Sequence, residues 1–206
     1  MGIIQRRIYL CSQNPRRREL LKQIGVKFEV LLLRCDPRRS LDVNETPLDD
    51  ESAEIYVRRI CQEKVRAGSE SLRVRNLPHF PVLAAETVLV LNGNILCKPA
   101  NANQAADMLR QLSGHEHQVL SAIAVALGNR TEVALSVSKV RFAKLSEDRI
   151  SRYLRSGEYA GKAGAYAMQG LAGAFVEHLA GSYSGVMGLP LFETVDLLQR
   201  FDYPTP

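Results

Sequence analysis

The run Val82–Leu91, followed directly by Asn92-Gly93 and then Ile95–Cys97, constrains the fold more than any other part of the chain. Val82 to Leu91 reads as one long apolar strand. Asn-Gly is the pair that a two-residue hairpin turn favours, because both central positions need positive φ. Ile95–Cys97 is then the returning strand. In that register Leu91 pairs with Asn94, Val90 with Ile95 and, further on, Thr87 with Lys98. Glu86 interrupts the apolar run. A carboxylate there is costly unless it opens on a cleft, meets a cation or holds a metal. Lys98 ends one pairing step from Glu86 but shares a face with Thr87. Only strand twist and the ladder break at Pro99 would bring Glu86 and Lys98 together, as a structural or a catalytic ion pair.

The flanking sequence alternates further strands with helices. Ile3–Leu10 is expected as a first strand. Asn14-Pro15 reads as a cap and first helical residue, starting a helix to about Ile24 that Gly25 ends. Lys27–Leu33 is a second expected strand, and Asp36–Asp50 a polar loop. Ser52 caps a helix to about Ala67, and a second loop covers Gly68–Pro81. Gln104–Leu112 is a short helix. Gln118–Leu127 and Glu132–Phe142 are strands joined by a turn at Gly128-Asn129. Ser146 caps a helix to about Arg155, Phe175-Val176 belongs to a short strand, and a last helix starts near Pro190. Hairpins mixed with helices predict an α/β fold with a mixed sheet, and no linker divides residues 1–206.

Charge and composition narrow the partners. The net charge of +5 is spread over short arginine clusters (16–18, 38–39, 58–59) rather than gathered in a tail. That suits a small polyanion better than a nucleic acid. No apolar run approaches the roughly 20 residues of a membrane span, and the N-terminus lacks a signal-peptide pattern. Cys11, Cys35, Cys61 and Cys97 are scattered without metal-site spacing, as expected for free thiols in a reducing cytoplasm.

Three segments carry candidate chemistry. Ser12-Gln13-Asn14-Pro15-Arg16-Arg17-Arg18 places arginines at a helix start, where the helix dipole is already positive. Either they are solvated, or an anion rests on them and on the amide groups of the first turn. Ala84-Ala85-Glu86-Thr87 is the second. The third is Gly157–Gly173, whose glycines at 157, 161, 164, 170 and 173 suggest a backbone that closely approaches something. It lacks P-loop spacing. His115 and His117 read as polar loop residues.

Five ordered blocks, Leu10–Leu21, Ala85–Pro99, Met108–Val119, Ser156–Gly170 and Gly181–Thr194, resemble the Maf family of nucleoside triphosphate pyrophosphatases over nearly the whole chain. The resemblance implies a curved mixed sheet in two lobes around a central cleft, of the inosine triphosphate pyrophosphatase type. It implies hydrolysis of a nucleoside triphosphate to the monophosphate and pyrophosphate, with a divalent metal such as Mg²⁺, Mn²⁺ or Co²⁺, and usually a homodimer. The Tyr166-x-x-Gln169-Gly170 form resembles the branch acting on dTTP and UTP.

By matching position, Ser12, Arg16 and Arg17 would hold the triphosphate. Lys64 and Lys98 would contact phosphate or stabilise transition-state charge. Glu86, in place of the family aspartate, would be the base or metal carboxylate, with Asp36 as a second metal carboxylate. Thr87 and Gln169 would help read the pyrimidine. Asn14 replaces a serine, Pro37 stands where a functional carboxylate is expected, and Gly161 replaces an aspartate. These departures set an active pyrophosphatase against a nucleotide-binding pseudoenzyme. A nucleic-acid-binding role, prompted by the pI of about 9.1, has no motif behind it; no nucleic-acid or membrane partner is expected.

Overall fold

The computed structural model describes residues 7–34 and 42–205. Asp36, Pro37 and the start of the expected first strand lie outside the described residues.

β1 (Ile8–Leu10) leads into α1 (Pro15–Gln23) and β2 (Phe28–Val30). Asn14 caps α1 by accepting from the Arg16 amide, and proline at the first helical position gives up no hydrogen bond. α2 (Ala53–Val74) is capped by Ser52. β3 (Val82–Leu91) and β4 (Asn94–Leu96) form the expected hairpin. α3 (Ala102–Leu112), the long pair β5 (Glu116–Leu127) and β6 (Arg130–Phe142), and α4 (Glu147–Arg155) follow. Two 3-10 turns, Ala163–Ala165 and Leu171–Phe175, lead to β7 (Val176–Ala180), α5 (Tyr183–Met187) and α6 (Leu191–Arg200).

The strands form one mixed sheet ordered β2-β1-β3-β5-β6-β7, with β4 also on β3. β1 pairs parallel with β2 and β3, and the other ladders are antiparallel. β5 covers one edge of β3 from Val82 to Val90. The other edge is shared. β1 takes its start, at Val82 and Leu83, and β4 takes its end, from Leu89 to Leu91. Between them Ala84–Val88 pairs with no described strand on that side, and the sheet opens there.

Side-chain alternation along β3 divides the core around this opening. Ala84, Val88 and Val90 pack with Val57, Ile60 and Val65 of α2 on one face. On the other, Leu83 and Ala85 join Leu20 and Leu21 of α1 and Leu197 and Leu198 of α6. Leu89 and Leu91, on that same face, instead join Leu109, Leu112 and Ile150 beneath α3 and α4. Thr87 falls between these two cores. The result is two lobes with a cleft between them, spanned on the opposite face by α2.

Two local expectations need correction. The loop expected over Gly68–Pro81 begins only after Val74: α2 continues to Val74 and buries Leu72. Gly68 is tolerated because a Cβ there would lie 2.5 Å from Cys11 Sγ and 2.8 Å from Val82 Cγ1. Its bareness lets the helix lie directly on β3 and on Cys11 just after β1, which outweighs the roughly 1 kcal/mol that glycine costs inside a helix. α5 was not anticipated. It is one turn long, capped by Ser182 and ended by Gly188 at φ 114, too short to show a helical period.

Candidate active site

The cleft has a volume of about 810 Å³, within the range of small-molecule sites. Its lining includes Ser12, Arg16, Arg17, Lys64, Glu86, Thr87 and Lys98. Seven of the nine residues singled out in the sequence therefore meet in one place. Gln169 sits exposed at the rim, and Asp36 lies outside the described residues.

The loop between β1 and α1 builds one wall. Arg17 is buried, so the arginine cluster is not simply a solvated one. Its Nε donates to the Gly188 carbonyl at 2.9 Å and its Nη1 to Ser12 Oγ at 3.2 Å. The short helix α5 thus aims Arg17 by presenting its terminal carbonyl. The Arg16 guanidinium meets the Gln169 side-chain amide, and because arginine only donates, the amide oxygen is the atom that must face it. Thr87 lies on the arginine side. A Cβ built on Gly188 would be within 4 Å of Asn14, Arg17 and Thr87 together. The Ser121 hydroxyl donates to the Gly185 carbonyl at 2.6 Å, so Thr87 must donate to Ser121 at 2.8 Å.

Glu86 and Lys64 form the floor. The carboxylate, 14% exposed, accepts from Lys64 Nζ at 2.5 Å. The bonded cation is therefore Lys64 and not Lys98. The β3–β4 ladder stops at Leu89–Leu96, so the expected Thr87–Lys98 pair does not form. Lys98 instead lines the cleft from the β4 side. Lys64 has a second carboxylate, Glu45, at 2.6 Å. Burial opposes the charge on Lys64, but the two carboxylates outweigh it and raise its pKa. Burial likewise opposes the charge on Glu86, yet Lys64 and Arg17 hold its pKa below the ordinary carboxylate value. Glu86 is thus ionised at neutral pH.

Glu45 was missed in the sequence. It lies in the polar loop before α2, among Asp42, Asp49, Asp50 and Glu51, and spacing alone does not single it out. Its signal is spatial: its carboxylate lies across Lys64 from Glu86. It gives the cleft a second acid besides Glu86, in a chain whose sequence has proline rather than an acid at position 37. No acid stands at position 161 either, where Gly161 is exposed with φ 69 and open space around it.

The Gly-rich stretch has a structural explanation. A Cβ on Gly164 would be 2.5 Å from Leu89 Cδ1, so the close approach there is to β3. Glu158 accepts from the amides of Leu171 and Ala172 and fastens the second 3-10 turn. The histidine expectation is corrected at His117. It is 2% exposed within β5, with Nε2 2.8 Å from the Tyr166 hydroxyl. Burial lowers its pKa to about 4, so it is neutral. Burial also pushes the thiols of Cys11 and Cys61 up to about 12, which removes both as nucleophiles at neutral pH.

Fold and site define an α/β protein whose cleft sets arginine and lysine side chains around two carboxylates. The same fold occurs in the Ham1 protein of Staphylococcus aureus. Its structure matches with a TM-score of 0.52 and 16% identity, over 95% of this chain and 97% of that one. The inosine triphosphate pyrophosphatase type of architecture expected from the sequence is the one observed.

The chain belongs to the Maf family: the family model described as Maf-like protein matches residues 7–201. Three relatives named dTTP/UTP pyrophosphatase are similar over nearly their whole length. That of Aromatoleum aromaticum is 52% identical over 99% of this chain and 100% of its own. That of Nitrosospira multiformis is 54% identical, covering 97% of each chain. That of Ralstonia nicotianae is 52% identical over 94% of this chain and 93% of its own.

Proposed function

We propose that this protein is a nucleoside triphosphate pyrophosphatase that hydrolyses dTTP and UTP to the monophosphate and pyrophosphate. Family membership and relatives at about 50% identity that carry this name support the activity and the substrates. The observation in the structure that carries the reading is the acid pair Glu45 and Glu86 across Lys64, next to the Ser12–Arg17 phosphate wall.

A divalent cation fits this donor set. No group of three or more His, Cys, Asp or Glu residues able to hold a metal occurs among the described residues. Glu45 and Glu86 share Lys64 Nζ through one oxygen each, and two such neighbouring carboxylates suit Mg²⁺ or Mn²⁺, which are commonly held by one or two carboxylates with substrate phosphates and water completing the shell. Glu86 and Glu45 would hold the ion. Once bound, it would neutralise phosphate charge and favour ionisation of a water.

The chain's own residues then divide the work. Ser12, Arg16 and Arg17 bind and orient the phosphates. Lys98 and Lys64 stabilise the charge that grows as the phosphoanhydride P–O bond breaks. Glu86 aligns the attacking water; held ionised by Lys64 and Arg17, it orients better than it abstracts. Gln169 and Tyr166 flank the end of the cleft proposed for the pyrimidine, where the sequence also resembles the dTTP/UTP branch. A homodimer and a cytoplasmic location belong to this reading; sedimentation of the purified protein tests the first.

A second acid in the cleft, Glu45, favours an active enzyme over the pseudoenzyme reading. Glu86→Gln tests the choice. The variant is expected to lose at least about a hundredfold in turnover while still binding dTTP. Near-normal rates would remove Glu86 from the mechanism.

A further inference from the structure

Glu45 lies in a loop without regular secondary structure, yet a carboxylate sharing an ion must be held to within a fraction of an ångström to act. The loop is fastened mainly by Arg59, Tyr56 and Glu51, which do not line the cleft. Arg59, nearly two turns into α2, sends Nε and Nη2 to the two oxygens of Glu51 at 2.6 and 2.7 Å, a forked pair. Its Nη2 also reaches the Thr46 carbonyl at 3.2 Å, and its Nη1 reaches Glu63 at 3.2 Å. The guanidinium lies 5.6 Å over the ring of Tyr56. The Tyr56 hydroxyl donates to the backbone carbonyl of Glu45 itself at 2.9 Å. Glu51, whose side chain is 4% exposed, closes the far end by accepting from the Leu48 amide. The Thr46 amide turns back to Asn44 Oδ1. The main chain at Glu45 and just after it is thus tied to α2, the helix that carries Lys64.

We infer that Arg59, acting through Glu51, Thr46 and Tyr56, is a positioning residue for the Glu45 carboxylate and so sets the affinity of the site for a divalent cation. This rests on the reading of Glu45 and Glu86 as the ion-holding pair. None of Arg59, Tyr56 and Glu51 lines the cleft, so each acts through another group. Lysine at position 59 would keep the charge but lose the fork and the reach to the Thr46 carbonyl. Arg59→Lys is therefore not a conservative change here, and Glu51→Gln should imitate it from the other side of the pair.

The test is Mn²⁺ binding to the full-length protein, followed by the electron paramagnetic resonance of free Mn²⁺ with a non-hydrolysable α,β-methylene nucleotide present. Nucleotide affinity in chelator is measured alongside. Arg59→Lys and Glu51→Gln are each expected to weaken Mn²⁺ binding by about tenfold, about 1.4 kcal/mol. Metal-free nucleotide affinity and the urea midpoint of Arg59→Lys should change little. Added to Glu45→Gln, which itself weakens Mn²⁺ binding, Arg59→Lys should cost almost nothing more, because both act on one interaction. Unchanged Mn²⁺ affinity in both single variants, or full additivity with Glu45→Gln, would overturn the role of Arg59. Unchanged Mn²⁺ binding in Glu45→Gln itself would overturn the ion-pair reading as well, so the two failures are distinguishable.

Discussion

At the residue scale, two acids show what a sequence reveals and what it hides. Glu86 was conspicuous because a charge in an apolar strand needs a reason, and the reason is Lys64 at 2.5 Å. The sequence suggested Lys98 as its partner. Hairpin register brought Lys98 near, whereas Lys64 comes from a helix whose docking no local pattern encodes. Glu45 was hidden because an acid in a polar loop is unremarkable until the loop is folded. The expected consequence is functional. Glu45→Gln should lower turnover by about a hundredfold or more, whereas Pro37→Glu should leave it essentially unchanged. Both are read from pyrophosphate release.

His117 gives a second residue-scale expectation. It is neutral in the folded chain until about pH 4, against an ordinary value of 6.5. Between those values the unfolded chain takes up a proton that the folded chain refuses. Stability from this group is therefore full above about pH 6.5, falls as pH drops towards about 4, and levels off below. The span corresponds to roughly 3 kcal/mol at most. Thermal unfolding of His117→Gln should show a shallower loss of Tm across that window than the parent. An unchanged slope would mean that His117 titrates normally.

At the element scale, the β3–β4 hairpin was legible because Asn92-Gly93 fixes its register, and Leu91↔Asn94 and Val90↔Ile95 formed as expected. Caps at Asn14, Ser52 and Ser146 likewise gave helix starts within a residue. Helix ends were harder. Gly68 resembles a stop signal, but its role is to let α2 touch β3 and Cys11 just after β1. Gly68→Ala should accordingly destabilise by about 1–3 kcal/mol through overpacking. Helix propensity alone predicts a gain of about 1 kcal/mol. Urea unfolding decides between them, and a stabilised variant would mean that the contacts with Cys11 and Val82 are loose.

At the scale of the whole molecule, the cleft follows from the shared edge of β3. β1 and β4 each take part of that edge, the core beneath splits at Thr87, and residues distant in sequence converge on the opening. Mixed α/β character was legible from hairpins alternating with helices. The two-lobed arrangement was reached only through family resemblance, since it depends on which strand takes which edge. Arg16, Arg17, Lys98 and Lys162 line the cleft with the acid pair. Added salt should therefore raise KM for a triphosphate more than it lowers kcat, as screening weakens long-range attraction first.

The most direct test is pyrophosphate release from a panel of nucleoside triphosphates by the purified protein with Mg²⁺ or Mn²⁺, with the products identified. Release of pyrophosphate and the monophosphate from dTTP and UTP well above the purine nucleotides, abolished in Glu86→Gln, is the predicted result. No release from any nucleotide by protein that still binds dTTP would contradict the account and leave the cleft a binding site without turnover.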